Sequence, residues 1–171
     1  DYTPGIFQWD LSVYGNKTNK LSTTLVKQLA LYVTMYSPLQ MAADLPENYR
    51  QFMDAFQFIK DVALDWDATY ILEAEPGDYI TIARKAKSKQ EWFIGGITDE
   101  NPRIASIDFA FLPKGKSYTA TIYEDGKNAN WQTNPQSYLI RKITVNSKTK
   151  IKQKLAASGG VAISIKENNK H

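Results

Sequence analysis

The chain has 171 residues, a formal net charge of +3, no cysteine and one histidine, His171, at its last position. That inventory excludes disulfides, thiol nucleophiles, thiolate metal sites and any Ser-His-acid triad other than one using the terminal residue. Chemistry would have to rest on carboxylates, hydroxyls, tyrosines or lysines. Hydrophobic residues at 43% and charged residues at 23% are ordinary for a globular chain. No run reaches the ~18 apolar residues of a membrane span. The lysines gather at 84–89 and along 141–154, between strand patterns and at alternating positions, as solvated edges and faces do. No aromatic-basic motif accompanies them, so a nucleic-acid partner is not expected.

In chain order, Asp1-Tyr2-Thr3-Pro4-Gly5 reads as a tight turn, with Asp1, Tyr2 and Trp9 of the residue types that contact sugars. Residues 11–21 are polar and read as a mobile loop. Ser22 is placed as an N-cap for a helix over 23–36, with Leu25, Leu29 and Val33 at helical spacing and Val26 and Ala30 widening the face. Pro38 pushes Ser37 toward extended geometry and ends it. Residues 39–43, Leu-Gln-Met-Ala-Ala, then form a short apolar run expected as a buried parallel strand. Asp44 follows, and Pro46 opens a second helix, 47–61, from position N1. Helix, strand, acid, loop, helix is the order of a β/α unit, in which residues just past a strand's carboxyl end face the active site. Asp44 is therefore either a pocket carboxylate or a loop and helix-capping aspartate.

Residues 1–64 hold too few elements to close a core. We read them as the incomplete end of a (β/α)8 barrel belonging to a larger enzyme. The Leu25/Leu29/Val33 face is expected to pack on barrel strands in that enzyme. In the chain alone it should fold back, self-associate or stay mobile, since each exposed aliphatic side chain forgoes ~1.5–3 kcal/mol.

From residue 65 the pattern changes to eight candidate strands, near 68–74, 78–85, 91–98, 103–109, 117–124, 137–145, 149–156 and 160–166. Alternation is clearest where Ile151, Gln153 and Leu155 oppose Lys150, Lys152 and Lys154. Turn residues such as Pro76-Gly77 and Gly159-Gly160 separate the strands, which argues for an antiparallel sandwich over 65–171. Trp92 is expected in the core and Trp66 at the boundary with the first part. Trp131 lies in a polar loop, where it could stack on a pyranose ring or simply pin the loop. The acidic pairs Asp65/Asp67, Glu73/Glu75 and Asp99/Glu100 lack the spacing of a calcium loop, and no metal ligand set is assigned.

Several segments together resemble glycoside hydrolase family 97, a bacterial family of α-glucosidases and α-galactosidases. They are Asp1-Tyr2-Thr3-Pro4-Gly5, Gln28-Leu29-Ala30-Leu31-Tyr32, the run Tyr36 to Pro46, Ala55 to Val62, Asp78 to Arg84, Trp92 to Glu100 and Tyr118 to Tyr123. The resemblance implies a mixed architecture, a C-terminal antiparallel all-β sandwich preceded by the terminal α/β fragment of the (β/α)8 barrel. It implies a calcium-dependent, exo-acting α-glycosidase located in the periplasm or secreted, acting on an oligosaccharide through two carboxyl groups. Those carboxylates and the Ca2+ ligands belong to the missing N-terminal barrel region. No catalytic residue is therefore expected in this chain, with Asp1, Tyr2 and Asp44 as substrate-pocket candidates and Trp131 as a sugar-stacking candidate. The alternative reading is a separable carbohydrate-binding β-sandwich module.

Overall fold

A computed structural model describes residues 2–15 and 19–168 of the chain. Eight strands are present: β1 (Trp66–Glu75), β2 (Tyr79–Ala86), β3 (Glu91–Thr98), β4 (Arg103–Asp108), β5 (Tyr118–Asp125), β6 (Tyr138–Val145), β7 (Lys150–Leu155) and β8 (Gly160–Glu167). Each coincides with a segment expected from alternation and turn residues. Six form one sheet in the order β1-β2-β3-β8-β5-β6, while β4 and β7 form a second, two-stranded sheet. All pairings between these strands are antiparallel. The fold is thus predominantly an antiparallel β-sandwich, strongly unequal in its two sheets.

Between the sheets lies one core, with Trp92, Phe109, Tyr118, Ile122, Leu155 and Ile163 among its fully buried members. Trp92 is 1% exposed, as expected of a core residue. On β7 the lysines point outward and Lys150 pairs with Asp108 at 2.9 Å, so this stripe is a solvated face.

The large sheet is covered on its other face too. Helix α1 (Leu25–Thr34) and helix α3 (Met53–Asp61) lie there, building a second core with Ile82, Phe93, Tyr123 and Ala162 of the sheet. Phe58 of α3 meets Phe93 and Tyr123 edge-on, and Trp66 meets Phe93 at 5.9 Å. Trp66 therefore sits at the junction of helices and sheet.

Two glycines let α1 come this close. A Cβ on Gly95 would lie 2.6 Å from the Ala30 carbonyl oxygen, and one on Gly160 would lie 2.9 Å from Lys27 Cα. Lys27 Nζ then donates to the Thr98 carbonyl at 2.7 Å. The helix is buried almost all round, with Leu25, Val26, Leu29, Ala30, Tyr32 and Val33 all at 3% exposure or less. The face expected to await barrel strands is therefore already engaged, and Val33 packs at Gly95 of the sheet. Among the three expected fates of that face, folding onto the sandwich is the one observed.

Three local expectations are corrected. The cap of α1 is Thr24, whose Oγ1 accepts from Lys27 N at 3.2 Å, and not Ser22, which is exposed. Thr24 wins because its backbone N–H reaches Ser158 O and its side chain reaches the half-buried Asp125. The helix expected over 47–61 is broken into α2 (Pro46–Tyr49), a 3-10 turn (Arg50–Phe52) and α3. At the break Phe52 leaves helical geometry (φ −136°, ψ 43°) and packs edge-on against Phe7 and Tyr138. Residues 39–43 form a single parallel bridge, Tyr2 to Gln40, with Leu39 55% and Met41 42% exposed, so this segment is not a buried strand.

Candidate functional site

The parallel contact of 2–4 with 39–43 is small but regular. Tyr2 N donates to Leu39 O, Met41 N to Tyr2 O and Ala43 N to Pro4 O, all at 3.0–3.1 Å. That stagger is the parallel pattern, and it sends both carboxyl ends, at Gly5 and Asp44, to the same side. The chain turns at Gly5 with φ +90°, and a Cβ there would lie 2.5 Å from the Tyr32 hydroxyl oxygen. Glycine is required on both counts.

The loop leaving Gly5 is held by side chains from three directions. Gln28 Oε1 accepts from Gly5 N at 3.0 Å and Ile6 N at 3.3 Å. Asp44 Oδ2 accepts from Phe7 N at 2.7 Å and Gln8 N at 2.6 Å. Its Oδ1 accepts from Leu45 N at 2.8 Å and Asn48 Nδ2 at 2.6 Å. Hydrogen bonds to an ionised acceptor are the strong ones, so Asp44 binds its own loop to the neighbouring one. The Tyr49 hydroxyl donates to Gly5 O at 2.7 Å and accepts from Asp44 N at 3.0 Å. Burial pushes its phenol up to about 12, with the Asp44 charge adding to the rise and the Asp44 backbone bond opposing it. The Tyr32 hydroxyl lies 3.0 Å from Pro4 O and 3.1 Å from Met41 O, and burial raises its phenol further still. Phe7, 1% exposed, fills the space beneath and meets Tyr49 edge-on.

A loop of the β domain reaches the same place. Residues 126–137, between β5 and β6, are stiffened by Asn130, whose Oδ1 accepts from Gln132 N and Thr133 N. From this loop Trp131 O accepts from Trp9 Nε1 at 3.0 Å, Gln136 Nε2 donates to Phe7 O at 2.8 Å, and Pro135 O accepts from Leu25 N at 2.8 Å. Lys20 Nζ stands 4.4 Å over the Trp9 ring. Asp125, at the root of the loop, is half-buried. Its Oδ2 accepts from Ala156 N and Gly160 N, each at 2.9 Å.

Of the residues singled out from sequence, Tyr2 lies half-buried on the parallel pair, and burial raises its phenol. Asp44 stands at the carboxyl end of the adjoining segment, with both oxygens accepting hydrogen bonds. Trp131 is half-buried on the β-domain loop and is joined to the site through Trp9. Asp1 lies outside the described residues, as does His171. Gln28, Tyr32 and Tyr49 were not foreseen. For Gln28 and Tyr32 the signal was a polar or hydroxyl-bearing side chain on an otherwise apolar helix, four residues apart, whereas Tyr49 on the short polar α2 carried none. Gln136 carried no signal at all, because its partner is 129 residues away in sequence. What the arrangement does chemically is hold a loop rigid: its tyrosines stay neutral and its carboxylate is saturated with donors.

Two sheets with helices over the larger one, and a tethered loop at the carboxyl ends of a parallel pair, define an antiparallel β-sandwich joined to an α/β segment. Residues 65–166 match the family model for the C-terminal, oligomerisation region of glycosyl hydrolase 97. This chain belongs to glycoside hydrolase family 97, to the C-terminal region of that family. It is 37% identical over 143 residues to a retaining α-galactosidase of Bacteroides thetaiotaomicron, covering 84% of this chain and 21% of the relative. It is 32% identical over 96 residues to a probable retaining α-galactosidase of Streptomyces bingchenggensis, covering 56% of this chain and 14% of the relative. A family 97 enzyme from Pseudoalteromonas sp. strain K8, solved with panose, superimposes with a TM-score of 0.92 at 47% identity. That match covers 97% of this chain and 26% of the enzyme. A β-arabinopyranosidase shares the fold with a TM-score of 0.75 at 22% identity. The chain thus spans about a quarter or less of the length of these relatives.

Proposed function

We propose that the chain is the closing segment of an exo-acting α-glycosidase of α-glucosidase or α-galactosidase type. In this reading, residues up to about 64 complete a (β/α)8 barrel and the β domain from residue 65 braces it. The observation that carries the reading is the close approach of α1 to the sheet over Gly95 and Gly160, in a chain of which 97% superimposes on a family 97 enzyme solved with panose. An α-linked oligosaccharide is the substrate class, and the relatives named as α-galactosidases support the galactoside among the options. Cleavage would use two carboxyl groups flanking the scissile bond, supplied by the missing N-terminal barrel region and by no residue of this chain.

Within this chain, Tyr2, together with Asp1 outside the described residues, is a substrate-contact candidate, and Trp131 is the sugar-stacking candidate. Asp44 would serve substrate binding indirectly, by holding the loop that leaves Gly5. The family model's description as an oligomerisation region supports subunit contacts through the β domain as a second task. The resemblance carries calcium dependence and a periplasmic or secreted location. Among the described residues no three acidic or histidine side chains converge as a metal site requires. In this reading the Ca2+ ligands lie in the N-terminal barrel region. Among the described residues no helix is long and apolar enough to cross a membrane. The packing of α1 argues against a separable carbohydrate-binding module, because detaching the sandwich would strip one face of its larger sheet.

The test is hydrolysis of aryl α-galactoside and aryl α-glucoside by the full-length protein, alongside the 171-residue chain. Turnover by the full-length protein alone is expected. Turnover by the chain alone would overturn the assignment of catalysis to the missing region.

A further inference from the structure

Three contacts link the 126–137 loop to the N-terminal segment, and two of them fall on the loop that leaves Gly5. Trp9 donates its indole N–H to the Trp131 carbonyl, and Gln136 donates its amide to the Phe7 carbonyl. The third, Leu25 N to Pro135 O, satisfies an amide of the first turn of α1. Both ends of the 5–24 connection are therefore fastened to one loop of the β domain. That loop is itself rigid, since Asn130 N and O bond to Asn134 O and N, closing it across its neck, and the Asn130 side chain caps its tip.

We infer that the 126–137 loop is a positioning brace: it sets the geometry of residues 5–10, and through them the productive binding of an α-linked oligosaccharide. Gln136 and Trp9 are its positioning residues. The inference rests on the glycosidase reading above and extends it, by giving the β domain a direct effect on substrate turnover. On one side, Asp44, Gln28 and Tyr49 hold the peptide groups of residues 5–8. On the other, Phe7 O and the Trp9 indole have the β-domain loop as their partner. Removing the brace frees one side of a loop at the carboxyl end of a parallel pair, where small displacements are costly. A misplacement of ~1 Å far from the reacting atoms can reduce turnover by ~100-fold.

The experiment uses the full-length protein with three substitutions. Gln136→Glu keeps the shape but places an acceptor against the Phe7 carbonyl. Gln136→Lys restores a donor. Trp9→Phe keeps a ring but deletes the N–H. Steady-state kinetics on an α-linked oligosaccharide are read with amide hydrogen exchange over residues 5–10. Expected are a fall in kcat/KM of about 10-fold for Gln136→Glu, carried mainly by KM, a smaller fall for Trp9→Phe, and recovery to within about 2-fold for Gln136→Lys. Amides 5–10 should exchange faster in Gln136→Glu while the β8 amides do not change. Lys116→Ala, which breaks an exposed ion pair with Glu167, should leave all readouts alone. Faster exchange with unchanged kcat/KM overturns the brace, as does a loss of activity that tracks melting temperature and is not rescued by Gln136→Lys. If the wild-type protein cleaves no α-glycoside, the glycosidase reading falls. The exchange arm then decides the brace by itself, and unchanged exchange in Gln136→Glu refutes it.

Discussion

Gly95 is the position at which the helical layer and the sheet can be separated with one methyl group. A Cβ built there lies 2.6 Å from Ala30 O, 2.9 Å from Val33 Cβ and 3.1 Å from Thr34 Cγ2. Ordinary contact begins near 3.4 Å, so α1 would have to lift by several tenths of an ångström. The nearest atom is backbone and the next is a Cβ, so no rotamer change relieves the clash. Overpacking of this kind costs ~1–3 kcal/mol, and the rigidity of the neighbours places Gly95→Ala at the upper end. Replacing a strand glycine with alanine returns ~0.5–1 kcal/mol of backbone entropy. The net loss is about 1.5–2 kcal/mol, or a fall of about 3–8 °C in melting temperature for a chain of this size. Urea and thermal melts of wild type and Gly95→Ala measure it. A variant within about 0.5 kcal/mol of wild type would refute the close approach of α1 to β3.

Three further outcomes are expected. Burial holds the Asp125 carboxyl above the usual carboxylate range, against the pull of its donors on Thr24, Ala156 and Gly160 and of the Lys27 charge. A carboxyl whose folded value is raised stabilises most below its unfolded value, near pH 4, and loses that contribution as pH rises through the folded value. The stability of wild type relative to Asp125→Asn should therefore decline from pH 4 upward, and parallel pH profiles in chemical denaturation would contradict this. Tyr49→Phe leaves Gly5 O and Asp44 N without their partner, a loss of about 1–3 kcal/mol in a denaturant melt. Because the Tyr49 phenol is raised to about 12, its contribution is complete below pH 10 and lost toward pH 12, so the difference between wild type and variant should shrink over that interval. Trp131→Ala should change stability by less than about 1 kcal/mol, because the bond to Trp9 uses the main-chain carbonyl. The same variant should weaken oligosaccharide affinity of the full-length protein, and unchanged affinity by calorimetry would remove Trp131 from the substrate-contact candidates.

All eight strands were legible in the sequence because period-two alternation and turn residues are local properties. The lysines of β7 and the buried Trp92 followed from the same pattern. Pro46 likewise announced the start of α2, since a proline at N1 loses nothing the helix needs. The sequence by itself therefore determined where the chain extends, where it turns and which strand faces are apolar. Tertiary structure decided the rest. Thr24 displaced Ser22 as cap because a distant carbonyl and the Asp125 side chain converge on it. Phe52 broke a continuous helix because two aromatic neighbours claimed its ring. Asp44 became a binder of backbone amides because the segment beginning at Tyr2 brought Phe7 N and Gln8 N beside it. Each of these outcomes depends on partners far apart in sequence, and hydrogen bonds and close contacts of that kind leave no period for a pattern to reveal.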